Sequence, residues 1–254
     1  MNKKTQYQLL VQKRKSCFDC KELTGGFVNQ SCTDFDTNEI GNFSMWANNL
    51  DAEVVIIGQD CSNQETFNND EGEIQPINDK WKNGDEINKY ATITNYYLRE
   101  LTKELGLDLG LPTEQSNNKI FLTNAVLCLK NGGMNASIPK GVYKTCGENF
   151  LKPLIEIIKP KAIITLGKTA TEALILAFND KINNSKEISK KSFKEIFKTG
   201  KFKIEGQNIY VFPVYHPGRF GQMNRKKGVN TDGTGFDLQK EDWKVIKGFI
   251  SYKN

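Results

Sequence analysis

Features typical of membrane, exported and repetitive proteins are missing from this sequence. No apolar run approaches the roughly 18 residues that a membrane-spanning helix needs. The basic start, MNKKTQYQLLVQKRKS, has no apolar export segment, so we expect a soluble cytoplasmic protein with no membrane partner. There is also no internal repeat and no long low-complexity tract. The 254 residues are enough for a sizeable core, which argues against a disordered or fibrous protein.

Arginine and histidine are scarce. Only four of the 35 basic residues are arginines, and His216 is the single histidine. The net charge of +5 permits contact with nucleic acid, but an excess of lysine alone is weak evidence for it. Arginine is the better planar partner for phosphates and bases, and two of the four, Arg219 and Arg225, follow His216 closely. Residues 213–225 are therefore a candidate functional segment.

Four short apolar runs rich in β-branched residues predict buried strands. Helical patterns separate the runs or follow them, and Leu238–Tyr252 predicts a terminal helix. This alternation favours a three-layer α/β/α fold with a central four-stranded parallel sheet. Residues 181–202 are rich in Lys and Ser and predict a solvated helix or insertion. The four predicted strands are Glu53–Ile57, Lys119–Thr123, Lys161–Leu166 and Asn208–Val214.

Polar residues follow three of these strands. Asp60 comes after the first, Asn124 after the second and His216 after the last. Asn and Asp in such positions are often only turn formers, and a single His beside Pro is often structural. Parallel strands, however, bring their carboxyl ends to one edge, where open α/β sheets bind ligands. The three side chains together therefore indicate a functional site.

Three segments, VVIIGQDCS, FLTNAVLC and FPVYHPGRF, resemble in order and spacing the motifs of the uracil-DNA glycosylase superfamily. The stretch from TNAVLC to KAIITLGKTATEAL is especially similar to the iron–sulfur (family 4-like) branch of bacteria and archaea. The resemblance implies one domain over residues 1–254, with an N-terminal CxxC segment in 1–50 and insertions near 61–89 and 180–203. It also implies that the partner is uracil-containing DNA, and we expect a monomer.

The resemblance implies a hydrolase for DNA repair, which removes uracil or a related deaminated base by cleaving the N-glycosidic bond. Asp60 orients the attacking water and stabilises the oxocarbenium-like sugar, and His216 faces the charge that develops on the departing base. Asn124 presents an amide donor and acceptor to the pyrimidine edge. Gly58 and Gln59 belong to the first motif, in which backbone N–H groups at Gln59 and Asp60 complete the pocket.

The sequence departs from the family pattern near Asp60. The iron–sulfur branch usually reads GEAPG here, so its Glu falls on Gln59, and Ser62 stands where the GQDPY branch has a thymine-blocking Tyr. The sequence therefore does not indicate how thymine is excluded. Tyr90 aligns with the aromatic residue that stacks on uracil, and it is equally compatible with a core position at the start of a helix.

The same resemblance implies a metal site. Without an export signal, cysteines indicate metal ligands, catalytic groups or buried thiols rather than disulfides. Cys17, Cys20, Cys128 and Cys146 occupy the ligand positions of the iron–sulfur branch and predict a 4Fe-4S cluster. Zinc binds the same thiolates, and Cys128 and Cys146 fit buried thiols as well. Two cysteines are left over: Cys32 is an alternative ligand, and Cys61 a possible pocket residue.

The loop from His216 to Arg225 corresponds to the family's minor-groove loop. It combines arginines with Phe220 and Met223, the mixture that a wedge into the duplex needs. We expect Arg219 or Phe220 to intercalate and Arg225, with Lys226 and Lys227, to contact the DNA backbone. The alternative is a solvated basic loop.

Two other functions remain possible. A catalytically weak module that binds uracil-containing or single-stranded DNA fits the altered residues after Asp60. A flavodoxin-like nucleotide or flavin binder would need a Gly- or Ser-rich phosphate loop, and none follows the first strand. Neither the preferred damaged base nor the strandedness of the substrate follows from the sequence.

Overall fold

The computed structural model describes residues 1–20, 48–60, 89–110, 119–128 and 137–251, and only the backbone of residues 89–93 and 95. Cys32, Cys61, Ser62 and most of the 61–89 insertion therefore lie outside the described residues. The strands are β1 Val54–Asp60, β2 Ile120–Val126, β3 Ala162–Leu166, β4 Phe202–Ile204 and β5 Ile209–Val214. The helices are α1 Lys3–Lys15, α2 Lys89–Glu104, α3 Lys140–Cys146, α4 Lys152–Ile158, α5 Gly167–Ala177, α6 Ser185–Ile188, α7 Phe193–Lys198, α8 Arg219–Lys226 and α9 Gly235–Ser251. A π-helical segment, Gly147–Leu151, joins α3 to α4.

The strands form one sheet in the order β2-β1-β3-β5-β4. The four long strands are parallel, as the apolar runs predict. A fifth strand, β4, pairs antiparallel with β5 at the edge of the sheet. The sequence prediction missed it because three residues are too few to show a β period. The α/β architecture is confirmed, with this edge strand added.

Two hydrophobic cores show that the sheet is covered on both faces. Along β1, Val55 and Ile57 belong to one core while Val54 and Ile56 belong to the other, as the alternation of strand side chains requires. Residues of α1, α3, α4 and α5 form the first core, and residues of α2 and α9 form the second. This arrangement confirms the prediction of three layers. In the described part of the chain, no helix is both long and apolar enough to cross a membrane.

The π-helical segment Gly147–Leu151 interrupts the α-helical geometry between α3 and α4. Pro153 lies in the first turn of α4, immediately after it. Proline has no N–H to donate, and in a regular α-helix its ring clashes with the carbonyl four residues earlier. The wider turn just before Pro153 avoids that clash, so the helix continues across the proline.

Candidate active site and cysteine cavity

The parallel sheet brings the predicted strand-end residues to one edge. Asp60 ends β1, Asn124 lies in β2, and His216 follows the end of β5 by two residues. Gly58 pairs with Asn124 across the β1–β2 ladder. Strand β3 lies between β1 and β5, so Asp60 and His216 are on either side of it, and the carboxylate of Asp60 acts to raise the pKa of His216.

Gly58 lets the side chain of Asn124 lie against β1. A Cβ atom at residue 58 would overlap Oδ1 of Asn124, well inside van der Waals contact. Glycine is therefore the residue that allows this close approach of an amide side chain to the neighbouring strand. The half-buried Asn124 is held at the carboxyl end of the sheet.

Gln59 contacts the carboxylate of Asp60 directly. Its Nε2 donates a hydrogen bond to Oδ2 of Asp60 at 2.8 Å. A glutamate at this position, as in the related GEAPG motif, has no such proton when ionised and would repel Asp60. The replacement of Glu by Gln therefore gives the carboxylate of Asp60 a hydrogen-bond donor at this position.

The ring of His216 is held in one tautomer. The backbone N–H of Gly218 donates to its Nδ1 at 3.0 Å, so the proton of the neutral ring is on Nε2. Burial by the surrounding protein lowers the pKa of His216, and the carboxylate of Asp60 opposes that shift. The ring is nevertheless exposed toward the cleft, so a neutral Nε2–H donor is available there.

Two glutamines support the backbone around His216. Nε2 of Gln239, in α9, donates to the carbonyl oxygens of His216 at 3.0 Å and Tyr215 at 3.3 Å. Nε2 of Gln222 donates to the carbonyl of Pro217 at 2.7 Å. The sequence reasoning missed Gln239, which is 1% exposed. The available signal was a polar residue on the apolar face that Trp243 forms in the same helix.

The segment after His216 is mostly helical rather than the loop we predicted. Gly218 precedes α8, in which Arg219 and Phe220 occupy the first turn. Phe220 is 78% exposed and Met223 59%, so both apolar side chains project from the surface. The expected mixture of apolar bulk and positive charge is present, now on a short helix.

Arg225 has a different partner from the one expected. Its Nε and Nη2 donate to the two carboxylate oxygens of Asp242 at 2.7 and 2.8 Å, and its guanidinium lies over the ring of Phe197. Both members of the ion pair are largely buried. A bidentate pair of this kind fixes α8 to α9 and occupies the guanidinium. Arg225 is thus engaged within the protein, and its contact with the DNA backbone stays a prediction.

A cleft of about 770 Å³ opens beside His216. Its lining comprises Gln59 from β1, residues 166–169 at the start of α5, and Phe220 from α8. Its outer side consists of residues from α7 and from the turn after α8. Tyr90 lies in the first turn of α2, and its side chain is outside the described residues.

The four predicted metal ligands surround one small cavity. Cys17, Cys20, Cys128 and Cys146 all line a space of about 30 Å³, together with Arg14. No three His, Cys, Asp or Glu residues within the described ranges are grouped closely enough to hold a metal ion as they stand. Burial raises the pKa of Cys146 to about 12, partly opposed by Arg14, and burial also raises the pKa of Cys20. These thiols therefore stay protonated unless a cation binds them.

An open sheet with polar side chains at its carboxyl edge defines an α/β protein of the class that binds ligands at that edge. The family model described as the uracil DNA glycosylase superfamily matches residues 46–244, and the chain belongs to that superfamily.

Two relatives have the same name, Type-4 uracil-DNA glycosylase. The chain is 29% identical to the relative from Sulfurisphaera tokodaii over an alignment of 120 residues. This alignment covers 47% of each chain. It is 32% identical to the relative from Saccharolobus solfataricus over an alignment of 117 residues. This alignment covers 46% of this chain and 48% of the relative. The chain thus spans about half the length of the curated relatives it matches. The resemblance to the superfamily and its type-4 branch is confirmed.

Proposed function

We propose that the protein is a DNA glycosylase that hydrolyses the N-glycosidic bond of uracil, or of a related deaminated base, in DNA. The observation that carries the proposal is the fixed Nε2–H tautomer of His216 at the same sheet edge as Asp60 and Asn124. Both relatives have names that describe this activity. As in the sequence analysis, we expect a single domain that acts as a cytoplasmic monomer.

Asp60 carries the water chemistry in this proposal. Its carboxylate is half-buried and held by the amide of Gln59, so its orientation is set before substrate binds. A positioned carboxylate orients water toward the anomeric carbon and stabilises the positive charge that develops on the sugar. The water oxygen then forms the new bond to the sugar as the bond to the base breaks; the water proton passes to the carboxylate of Asp60, and the base leaves with the bonding electron pair as an anion.

His216 and Asn124 act on the base. The Nε2–H of His216 donates a hydrogen bond to the base oxygen on which negative charge develops. Because the ring is neutral, His216 does not have to lose a proton before it takes this role. Asn124, lying against Gly58, presents both an N–H donor and a carbonyl acceptor to the pyrimidine edge. The backbone at Gly58 and Gln59 forms the floor of this pocket, and Tyr90 supplies the stacking ring.

Arg219 and Phe220 are the proposed wedge. A nucleotide must leave the stack to reach Asp60, and an apolar side chain that enters the gap offsets part of that cost. Phe220 is the most exposed aromatic side chain among the described residues and lines the same cleft as His216. Arg219 precedes it in the exposed first turn of α8, where its guanidinium reaches phosphate.

The four cysteines are the proposed ligands of a 4Fe-4S cluster, with zinc as the alternative. The donor set fits: four thiols line one cavity, and the buried guanidinium of Arg14 beside them compensates negative thiolate charge. When bound, such a group would link the segment after α1 to the end of β2 and to α3, and would thereby stabilise the fold. Arg14 donates a hydrogen bond to the carbonyl of Leu127, which holds this segment in place for the ligands.

The deciding experiment is uracil release from an oligonucleotide, followed by alkaline cleavage at the abasic site. Wild-type protein should release uracil, and Asp60→Asn should lower the single-turnover rate by about 10²-fold or more, as the loss of a positioned general base does. The matched control is Asp51→Asn, an exposed carboxylate in the turn before β1 that pairs with Lys3. Tight binding without release by the wild type would instead identify a DNA-binding module.

A further inference from the structure

The insertion near residues 180–203 contributes Phe193 and Lys194 to the outer wall of the His216 cleft. Its helix α7 begins with a capping box in which Ser192 and Glu195 satisfy each other's backbone N–H groups. The rings of Phe193 and Phe197 pack on Tyr215 with centroids 5.0 and 4.9 Å away. Ile196 is fully buried. The wall is therefore anchored on the residue that precedes His216.

Two lysines from different elements line the outer end of this cleft. Lys194 comes from α7 and Lys227 from the turn after α8, and both are exposed. The Nζ of Lys194 lies beside the backbone of Gly228, 3.6 Å from where a Cβ would stand. Within the described ranges, neither lysine forms an ion pair with a carboxylate. By contrast, Lys168, which lines the same cleft, pairs with Glu172 at 3.5 Å.

The charge of the cleft indicates the partner. Its described lining contains three lysines and no carboxylate, so the positive charge at its outer end is not neutralised from within. Like charges that line one cleft without a neutralising carboxylate repel each other, and an anion bound between them removes that repulsion. The same cleft contains His216 and the exposed Phe220. A polyanion that reaches the catalytic edge through this cleft therefore passes both lysines.

We propose that Lys194 and Lys227 clamp the phosphate backbone of a DNA strand where it leaves the catalytic edge. The inference rests on the proposed glycosylase function and adds to it a binding wall contributed by the insertion near residues 180–203. Each ammonium contacts a phosphate as a point charge, without reading the base sequence. The clamp should therefore strengthen binding to single-stranded and double-stranded DNA alike.

Salt dependence of DNA binding tests the clamp. The probe is a fluorescein-labelled, undamaged single-stranded oligonucleotide, and affinity is measured by anisotropy over a series of KCl concentrations. Each phosphate contact on a single strand contributes about 0.7 to the slope of log affinity against log salt. Lys194→Ala and Lys227→Ala should each reduce the slope by about 0.7, and the double variant by about 1.4. Lys194→Arg should keep the slope.

The matched control is Lys186→Ala, an exposed lysine of the same insertion that does not line the cleft. It should keep the wild-type slope. An unchanged slope in the folded double variant, or an equal loss in Lys186→Ala, would overturn the clamp. Uracil release separates the two proposals: release by the wild type with an unchanged slope in the double variant refutes only the clamp. A reduced slope in a protein that releases no base refutes only the glycosylase function.

Discussion

Adding a single methyl group at Gly58 should displace the residue that we propose reads the base. In Gly58→Ala the new Cβ overlaps Oδ1 of Asn124, which lies on the paired position of the neighbouring strand. Both partners are held by a parallel ladder, so the strands cannot separate without breaking hydrogen bonds. The side chain of Asn124 must rotate instead, which takes its donor and acceptor away from the pyrimidine.

The size of the effect follows from two costs. Overpacking at such a contact costs about 1–3 kcal/mol of stability, which for a chain of this size lowers Tm by roughly 2–4 °C per kcal/mol. Two misplaced hydrogen bonds to the base, at about 1 kcal/mol each, lower kcat/KM for uracil release by roughly 30-fold. Gly248→Ala is the matched control, because its Cβ would meet nothing within 4 Å in α9. It should leave release unchanged.

A double-mutant cycle shows whether the contact is the cause. In an Asn124→Ala background the obstructing amide is gone, so Gly58→Ala should cost little further stability or activity. Thermal melts and single-turnover uracil release on the four proteins give both coupling terms. If Gly58→Ala lowers Tm equally in both backgrounds, or releases uracil at the wild-type rate, the close approach of Gly58 and Asn124 does not control base reading.

The other predictions concern the support of the site, its titration, its wedge and the cysteine cavity. Gln239→Leu leaves the carbonyl of His216 without its buried donor and should cost about 1–3 kcal/mol in chemical denaturation. It should also lower kcat, and Gln239→Glu should not restore kcat, because an ionised carboxylate cannot donate to the carbonyl. Because burial lowers the pKa of His216, the ring stays neutral even at its ordinary pKa of about 6.5. The rate of uracil release should therefore be constant from about pH 8 down to that value and fall only at lower pH. A loss of activity already at about pH 7 would contradict a neutral donor. Phe220→Ala should impair duplex substrates more than single-stranded ones, since only the duplex has to be unstacked; equal losses on both would indicate a solvated basic loop. Anaerobically purified wild type should be brown and contain iron, and Cys128→Ser should lose the visible absorbance and stability; a colourless protein with one zinc would keep the ligands and change the metal.

The amino-acid sequence by itself determined the elements that rest on local periodicity. The four parallel strands are short β-branched runs, and α2 and α9 carry apolar faces, so burial alone specifies where they lie. The sequence also predicts that Asp60, Asn124 and His216 lie at one edge of the sheet, because parallel strands end at a common edge. The prediction of a cysteine site depended on one CxxC pair and on the family resemblance, and the shared cavity agrees with it.

Only the tertiary structure decided which side chains are already occupied. Arg225 and Phe220 lie in the same basic segment, yet Arg225 is paired with Asp242 while Phe220 projects from the surface. No local pattern distinguishes them, because the partner of Arg225 is in another helix. The same holds for Gln239, whose acceptors lie in the strand-end segment, and for Lys194, whose insertion packs on Tyr215. Contacts between distant parts of the chain depend on how the layers dock, and residue periodicity carries no information about that docking.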